Sequence, residues 1–207
     1  AAASNRAFGV DRGLPFPLSD LAVTDTLVLW GANPADTMPP LMRWVDRMRS
    51  RRGRLIVVDP RVTATAAVAD RHVRPRPGTD LAVALGLLHL VIGSGLVDRT
   101  YVRDRTVGFE RVAESVGTWT PEAVERVSGV PGPDLEALVD ALARVPAAML
   151  LTGRGPEQSS KGTDTVGALI NLMLALGRVG RPASGYGCLT GQANGQGGRE
   201  HGQKADQ

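Results

Sequence analysis

Thr26-Leu-Val-Leu-Trp30-Gly31-Ala-Asn-Pro34 opens the stretch that decides the fold, and Leu55-Ile-Val-Val58-Asp59-Pro60 closes it. The first is a short apolar run ending at a glycine and an Asn-Pro turn signal, the pattern of a buried strand entering a loop. Between the two, residues 41–52 place Leu41, Trp44, Val45 and Met48 on one apolar helical face. Gly53 stands where a helix C-cap belongs. The second run is β-branched and is stopped by Asp59-Pro60. Strand, helix, strand in this order is a βαβ unit, whose right-handed crossover implies a parallel sheet covered by helices.

The pattern continues outward. Thr79 reads as the N-cap of a helix whose apolar stripe is Leu81, Ala84, Leu85, Leu88 and Ile92. Helices are expected to open at Thr120-Pro121 and at Pro133-Asp134, the latter with Leu135, Leu138, Val139 and Leu142 facing inward. Ala147-Ala-Met-Leu-Leu151 is a third strand candidate, and residues 165–176 form a helix packed through Val166, Leu169, Ile170 and Met173. Everything after Gly177 reads as loop, dense in Gly and Pro. The fold class is therefore α/β, a Rossmann-like parallel sheet flanked by helices with an irregular Gly-rich C-terminal stretch. The dinucleotide-binding region is expected over residues 1–180 and a Gly-rich loop over 181–207.

Composition limits what the chain can do. Its 207 residues have the apolar and charged balance of an ordinary globular protein, with a formal charge of +3. No apolar run approaches the ~20 residues of a membrane helix, so no membrane span and a cytoplasmic location are the expectation. A single cysteine, Cys188, leaves no thiolate set for an iron–sulfur cluster within the chain; in Gly-Tyr-Gly-Cys-Leu-Thr it reads as a small packed residue. The arginines from Arg43 to Arg54 read as a solvated helix face and helix C-terminus, because no aromatic residues interleave with them to stack on bases. Nucleic acid is set aside. The chain begins at Ala1 and stops at Gln207 without a closing element, which reads as a piece of something longer.

Ligands of parallel sheets bind beyond the carboxyl ends of the strands. The three strand ends here run into Gly31-Ala-Asn-Pro34, Asp59-Pro-Arg-Val-Thr63 and Gly153-Arg-Gly-Pro-Glu-Gln158. Asp59 suits a ribose or a purine edge, since a carboxylate accepts from hydroxyl and ring N–H groups; equally, it could cap a turn before Pro60. Gly31 would let backbone approach a phosphate, with the Asn33 amide beside it, although Gly-x-Gly-x-x-Gly is absent. Pro77-Gly-Thr-Asp80 adds a helix N-terminus, an anion or purine-edge site or simply a capped helix. His72, His89 and His201 lack metal-ligand spacing, and His89 sits beside an apolar helix face. No nucleophile motif appears.

Trp30-Gly-Ala-Asn-Pro34 with Pro39, Ile56-Val-Val-Asp-Pro-Arg61 with Thr63, Thr65 and Ala69-Asp70, Arg76-Pro-Gly-Thr-Asp80, Leu96-Val-Asp98 and Gly108-Phe109 resemble, in order and spacing, the molybdopterin oxidoreductases. Leu189-Thr-Gly-Gln-Ala-Asn-Gly-Gln-Gly-Gly-Arg199-Glu200 resembles the assimilatory nitrate reductase branch, where formate dehydrogenases typically carry a Cys-Asp-Met-Gly segment. The resemblance implies bis-molybdopterin guanine dinucleotide with molybdenum, and a [4Fe-4S] cluster outside this chain. It implies nitrate as substrate, further domains of a parent chain and an electron-donor protein or domain. Trp30, Gly31, Asn33 and Pro34 would line one pterin guanine dinucleotide, with Asp59, Arg61 and Thr63 near its nucleotide. Gly78, Thr79 and Asp80 would meet the guanine end; Arg154 and Gln158 would reach the pterin side. Gln192 and Asn194, with Arg199 and Glu200 as the catalytic candidates, would lie near the molybdenum and the substrate funnel. A formate dehydrogenase-like enzyme, or a non-catalytic cofactor-binding module, are the alternatives.

Overall fold

The computed structural model describes residues 2–10, 13–190, 197, 198 and 201. Along the chain run α1 (Ala2–Phe8), a 3-10 turn (Leu18–Ala22), β1 (Thr26–Trp30), α2 (Pro34–Thr37), α3 (Pro39–Ser50), β2 (Arg54–Val58), α4 (Ala64–Ala67) and β3 (Arg71–Val73). There follow α5 (Asp80–Gly93), α6 (Arg99–Arg105), α7 (Phe109–Ser115), α8 (Pro121–Ser128), α9 (Gly132–Ala143), β4 (Ala148–Thr152), α10 (Arg154–Glu157), α11 (Gly162–Ala175) and β5 (Gly185–Cys188). All strand pairs are parallel, in the order β3-β2-β1-β4-β5.

The unbroken apolar runs of β1, β2 and β4 follow from burial on both faces. Alternate residues separate into two cores. Val28, Trp30, Ile56, Val58 and Leu150 point to the side covered by α5, α9 and α11. Leu27, Leu29, Leu55, Val57 and Met149 point to the side covered by α3 through Leu41, Val45 and Met48. Register aligns Trp30 with Val58 on one side and Thr152 on the other, so three strand ends finish level. That level edge carries the loops that could bind a ligand.

The stretch after Gly177 is not all loop. Residues 185–188 add β5 to the sheet edge, pairing Met149 with Gly185 and Thr152 with Cys188. Its glycines hide it from a hydrophobic-pattern reading, yet they have a packing reason: a Cβ at Gly187 would lie 2.8 Å from a Leu14 methyl and 3.0 Å from a Leu151 methyl. Leu14 and Phe16 therefore cover this strand. Ahead of it, Arg178 is buried and donates to the Ala143 and Pro146 carbonyls at 2.8 and 3.0 Å, where the C-terminus of α9 favours a cation. Burial, helped by Arg181, lowers its pKa from the ordinary arginine value.

Gly53 likewise has a different role from a left-handed cap. The left-handed residue after α3 is Arg52, at φ 69°, whereas Gly53 is needed because a Cβ there would stand 2.5 Å from Met48 Cγ and 3.0 Å from the Thr24 carbonyl. A side chain in the left-handed region costs about 1–2 kcal/mol, against roughly 0.5–1 kcal/mol for the entropy a glycine loses on folding. Arg52→Gly should therefore stabilise the protein by about 0.5–1 kcal/mol. A thermal melt showing an unchanged or lowered Tm would refute this.

Candidate nucleotide-binding crevice

The chain leaves β1 toward β2 and β3, but later places β4 and β5 on the other flank, so the order of strands reverses between β1 and β4. Loops diverge at such a point and leave a crevice. Here it is a cavity of about 420 Å³ lined by residues 31–33, 59–61 and 153–155, with Gly78 and Asp80 across from them. A larger groove of about 1580 Å³ runs along α1, α5, α6 and α11, but none of the strand-end loops lines it. Size alone would choose the groove; convergence of three strand ends chooses the crevice.

The crevice floor is backbone on backbone. Gly31 N–H donates to the Val58 carbonyl at 2.8 Å, Gly153 N–H to the Trp30 carbonyl at 2.8 Å, and Gly155 N–H to the Gly31 carbonyl at 3.2 Å. These amides extend the sheet ladder, so the Gly31 N–H is not left for a phosphate. The glycine serves close approach instead. At φ 59°, a Cβ on Gly31 would lie 2.3 Å from Pro156 Cδ, and one on Gly153 would lie 2.4 Å from the Gly31 oxygen.

Several polar residues singled out by the sequence are committed to architecture. Asn33 donates its amide to Asp36 and accepts from both the Thr65 N–H and hydroxyl, at 3.2 and 2.8 Å, tying the first loop to α4. Asp59 is buried and its Oδ1 accepts from Arg61 N–H at 2.8 Å, closing the turn before Pro60, while the residue still lines the crevice. His72 Nε2 meets the carbonyl of the same Asp59 at 2.8 Å. Thr63 is the buried N-cap of α4, accepting from Ala66 N–H at 3.1 Å, and Pro34 is buried at the start of α2. Thr79 departs from the expected cap: its hydroxyl donates to the Arg76 carbonyl at 2.6 Å and accepts nothing from α5.

What remains for a ligand is a small charged set. Asp80, Arg61 and Arg154 line the crevice beside Gly78, which sits at φ 82° with open space where a Cβ would be. Arg154 pairs with Glu157 Oε2 at 3.5 Å, and its side chain is 44% exposed, so it is tethered yet reachable. Gln158 is exposed and stands outside the lining. Trp30 is fully buried beneath the crevice and donates its indole N–H to Asp80 Oδ1 at 2.7 Å. Gln192, Asn194, Arg199 and Glu200 lie outside the described residues. Guanidinium groups match phosphates and a carboxylate accepts from a base, so the set can hold a nucleotide. Among the described residues no group of three or more metal-ligating side chains converges.

The pattern described as molybdopterin oxidoreductase matches residues 2–207. The chain belongs to that family. It is 40% identical over its whole length to the assimilatory nitrate reductase catalytic subunit of Bacillus subtilis, covering 29% of that protein. Over 94% of its length it is 43% identical to the assimilatory nitrate reductase of Haloferax mediterranei, covering 26% of it. Formate dehydrogenase H of Escherichia coli is 33% identical over 87% of the chain, which covers 25% of that enzyme. The chain thus spans less than a third of each of these relatives. Acetylene hydratase from Pelobacter acetylenicus superposes with a TM-score of 0.72 at 23% identity, over 86% of this chain and 24% of that one, which shows the shared fold.

Membership of the family implies molybdenum with a pterin cofactor, and the crevice is suited to part of such a group. Its volume falls at the lower end of the ~300–1,000 Å³ usual for small-molecule sites, room for one nucleotide arm rather than for a whole cofactor. Two arginines can offset a pyrophosphate, and Asp80 supplies the acceptor a base would need.

Sequence reasoning missed a polar network just behind the crevice, at the ends of β4 and β5. Cys188 Sγ donates to Glu157 Oε1 at 2.7 Å, Thr152 Oγ1 lies 3.2 Å from the same oxygen, and Tyr186 Oη is 2.7 Å from Thr152 Oγ1. Cys188 reads in the sequence as a small packed residue, and its pairing with Glu157, 31 positions earlier, leaves no local signal. Burial first, and the Glu157 carboxylate second, push the Cys188 thiol up to about 12.

Two outcomes follow from this geometry. Thiol reactivity tracks the thiolate, so alkylation of Cys188 at pH 8, read from the mass of its peptide, should be at least about 100-fold slower in the native than in the unfolded protein. Because the unfolded thiol loses its proton first, the stability this group contributes is present below about pH 9 and is lost as pH rises toward 12. Equal native and unfolded labelling rates would overturn the assignment. At the floor, Gly31→Ala combines a left-handed backbone with an immovable proline ring and should cost more than about 3 kcal/mol. Gly95→Ala, at φ 67° with nothing within 4 Å, should cost only about 1–2 kcal/mol; denaturant midpoints giving equal losses would refute the close-contact account.

Proposed function

We propose that this chain is the nucleotide-holding part of a molybdenum-dependent nitrate reductase, in which the β1–β4 crevice grips the guanine-nucleotide arm of bis-molybdopterin guanine dinucleotide. The observation that carries this is the placement of Asp80, Arg61 and Arg154 around one switch-point crevice. Asp80 would accept from the ring N–H and amino groups of guanine, and the two guanidinium groups would pair with phosphate oxygens. The floor of ladder-bonded glycine amides and the buried Trp30 keep the crevice walls fixed. Thr79 and Gly78 would set the backbone path past the guanine; Asn33, Pro34, Asp59 and Thr63 would hold the loops in shape rather than touch ligand.

Bound molybdenum and its pterins supply the redox chemistry. In the parent enzyme nitrate would take two electrons and two protons, leaving nitrite and water. Arg199 and Glu200, with Gln192 and Asn194, are proposed for the substrate side, where a planar guanidinium suits an entering oxyanion. A [4Fe-4S] cluster and an electron-donor protein or domain outside these residues would deliver the electrons, in the cytoplasm. No described helix is long and apolar enough to cross a membrane. The names of the Bacillus and Haloferax relatives support nitrate over formate; the Escherichia coli relative keeps a formate dehydrogenase-like enzyme as the reading to exclude.

The test uses the full-length protein, assayed for nitrate-dependent and formate-dependent turnover with a redox dye and for molybdenum and acid-released GMP. Nitrate turnover with GMP in the acid hydrolysate is the expected result. Asp80→Ala should cut cofactor binding by an amount equivalent to roughly 1–3 kcal/mol, since it strips an acceptor from a desolvated contact. Wild-type molybdenum and GMP content in Asp80→Ala would overturn the role of Asp80, and turnover of formate in place of nitrate would overturn the substrate.

A further inference from the structure

We infer that Trp30 is a specificity-determining positioning residue, which locks the Asp80 carboxylate in the orientation that prefers a guanine over an adenine base. The inference rests on the nucleotide-binding role proposed for the crevice and adds the residue that fixes its selectivity.

The bond itself is short and enclosed. Trp30 Nε1 donates to Asp80 Oδ1 at 2.7 Å, the distance of a charge-assisted hydrogen bond. Trp30 has no solvent exposure, so its N–H has no water to turn to if Asp80 moves away. A buried indole donor left unpaired is costly, which makes other Asp80 rotamers unfavourable. The indole lies in the core that also contains Val83, Ala84 and Leu87 of α5, and its N–H reaches across to the first residue of that helix. It cannot swing.

Asp80 also forgoes an easier partner. An acidic residue in the first turn of a helix usually turns back onto its own amides, and α5 has no side-chain cap from Thr79. Its Oδ1 is instead engaged by a strand 50 residues earlier in the chain. A carboxylate carries about four lone-pair sites, so one indole bond leaves acceptors directed at the crevice that Asp80 lines.

Selectivity follows from what a carboxylate can do. It accepts and, when ionised, does not donate. Guanine presents an N1–H and an amino group side by side, two donors matched to a fixed carboxylate. Adenine presents an N1 acceptor there, which a carboxylate repels. An Asp80 free to rotate could swing away from adenine at little cost; an Asp80 held by Trp30 cannot, so the penalty persists.

The test measures affinities of GDP and ADP, by calorimetry, for the full-length chain made in cells that do not assemble the molybdenum cofactor. Trp30→Phe removes the donor, and replacement of Trp30 by benzothienylalanine removes it while keeping the ring volume, so a packing defect is separated from the lost bond. Both variants should shrink the GDP-to-ADP preference by about tenfold, through tighter ADP binding as the freed carboxylate turns away from adenine and weaker GDP binding as the fixed acceptor is lost. Asp80→Ala should lose the same preference, and combining it with the Trp30 change should add nothing further. If Asp80→Ala loses the preference and the benzothienylalanine variant keeps it, Trp30 does not position Asp80 and the base-reading role of Asp80 stands. If wild type binds both nucleotides alike, or Asp80→Ala keeps the preference, the role of Asp80 itself falls, and the inference with it. Equal weakening of GDP and ADP in the benzothienylalanine variant would reduce Trp30 to a structural residue.

Discussion

The loop after β1 and the loop after β4 touch through main chain at Gly31, Gly153 and Gly155, and the shape of the candidate site depends on that contact. At a switch point the two loops depart toward opposite flanks of the sheet, which would leave a wide, wet gap between them. Three residues without side chains let the backbones meet, and the resulting amide–carbonyl bonds continue the ladder past the last strand residues. The crevice therefore begins above a closed floor. Its depth is set by glycine, its width by Pro156 packed on Gly31.

Above that floor, polar groups divide into those used by the protein and those left for a ligand. Asn33, Thr63 and Thr65 join loops and cap α4, and one oxygen of Asp59 closes its own turn. Buried polar atoms must find partners, so residues close to the sheet are consumed by this requirement. Asp80, Arg61 and Arg154 stand further out, on a helix start, a turn and a single-turn helix, and line the crevice. Glu157 tempers Arg154 from behind while being held in turn by Cys188 and Thr152. Architecture is thus carried by the inner ring, and the charged lining of the crevice by the outer one.

Much of this was legible in the sequence because both-sided burial leaves a strong mark. The runs at residues 26–30, 55–58 and 147–151 read as enclosed strands, and the structure places them within one residue of those limits. The short edge strands were not legible. β3 has three residues beginning Arg71-His72, and β5 alternates glycine with Tyr186 and Cys188, so neither carries an apolar signature. What made β5 a strand was the cover supplied by Leu14 and Phe16, far away in sequence. The loops at the strand ends do converge on one crevice, yet the roles inside them were not separable. Asn33 looks like a ligand amide until its oxygen is seen to accept from Thr65, 32 residues on, and its N–H to donate to Asp36.

Trp30 shows why such roles resist sequence reading. A tryptophan at a strand end can line a pocket or fill a core, and here it does the second while acting on the first through one hydrogen bond. The consequence is a coupling between stability and ligand recognition. Its ring lies in the same buried core as Val83, Ala84 and Leu87 of α5, and its N–H holds the first residue of that helix, so any ligand that engages Asp80 also bears on the link between β1 and α5. A ligand that binds only the folded chain stabilises it by mass action, and in this arrangement the stabilisation passes directly into the central strand. The inner core and the crevice wall are joined through that indole, so the strand that anchors the sheet also fixes the carboxylate at the rim of the crevice.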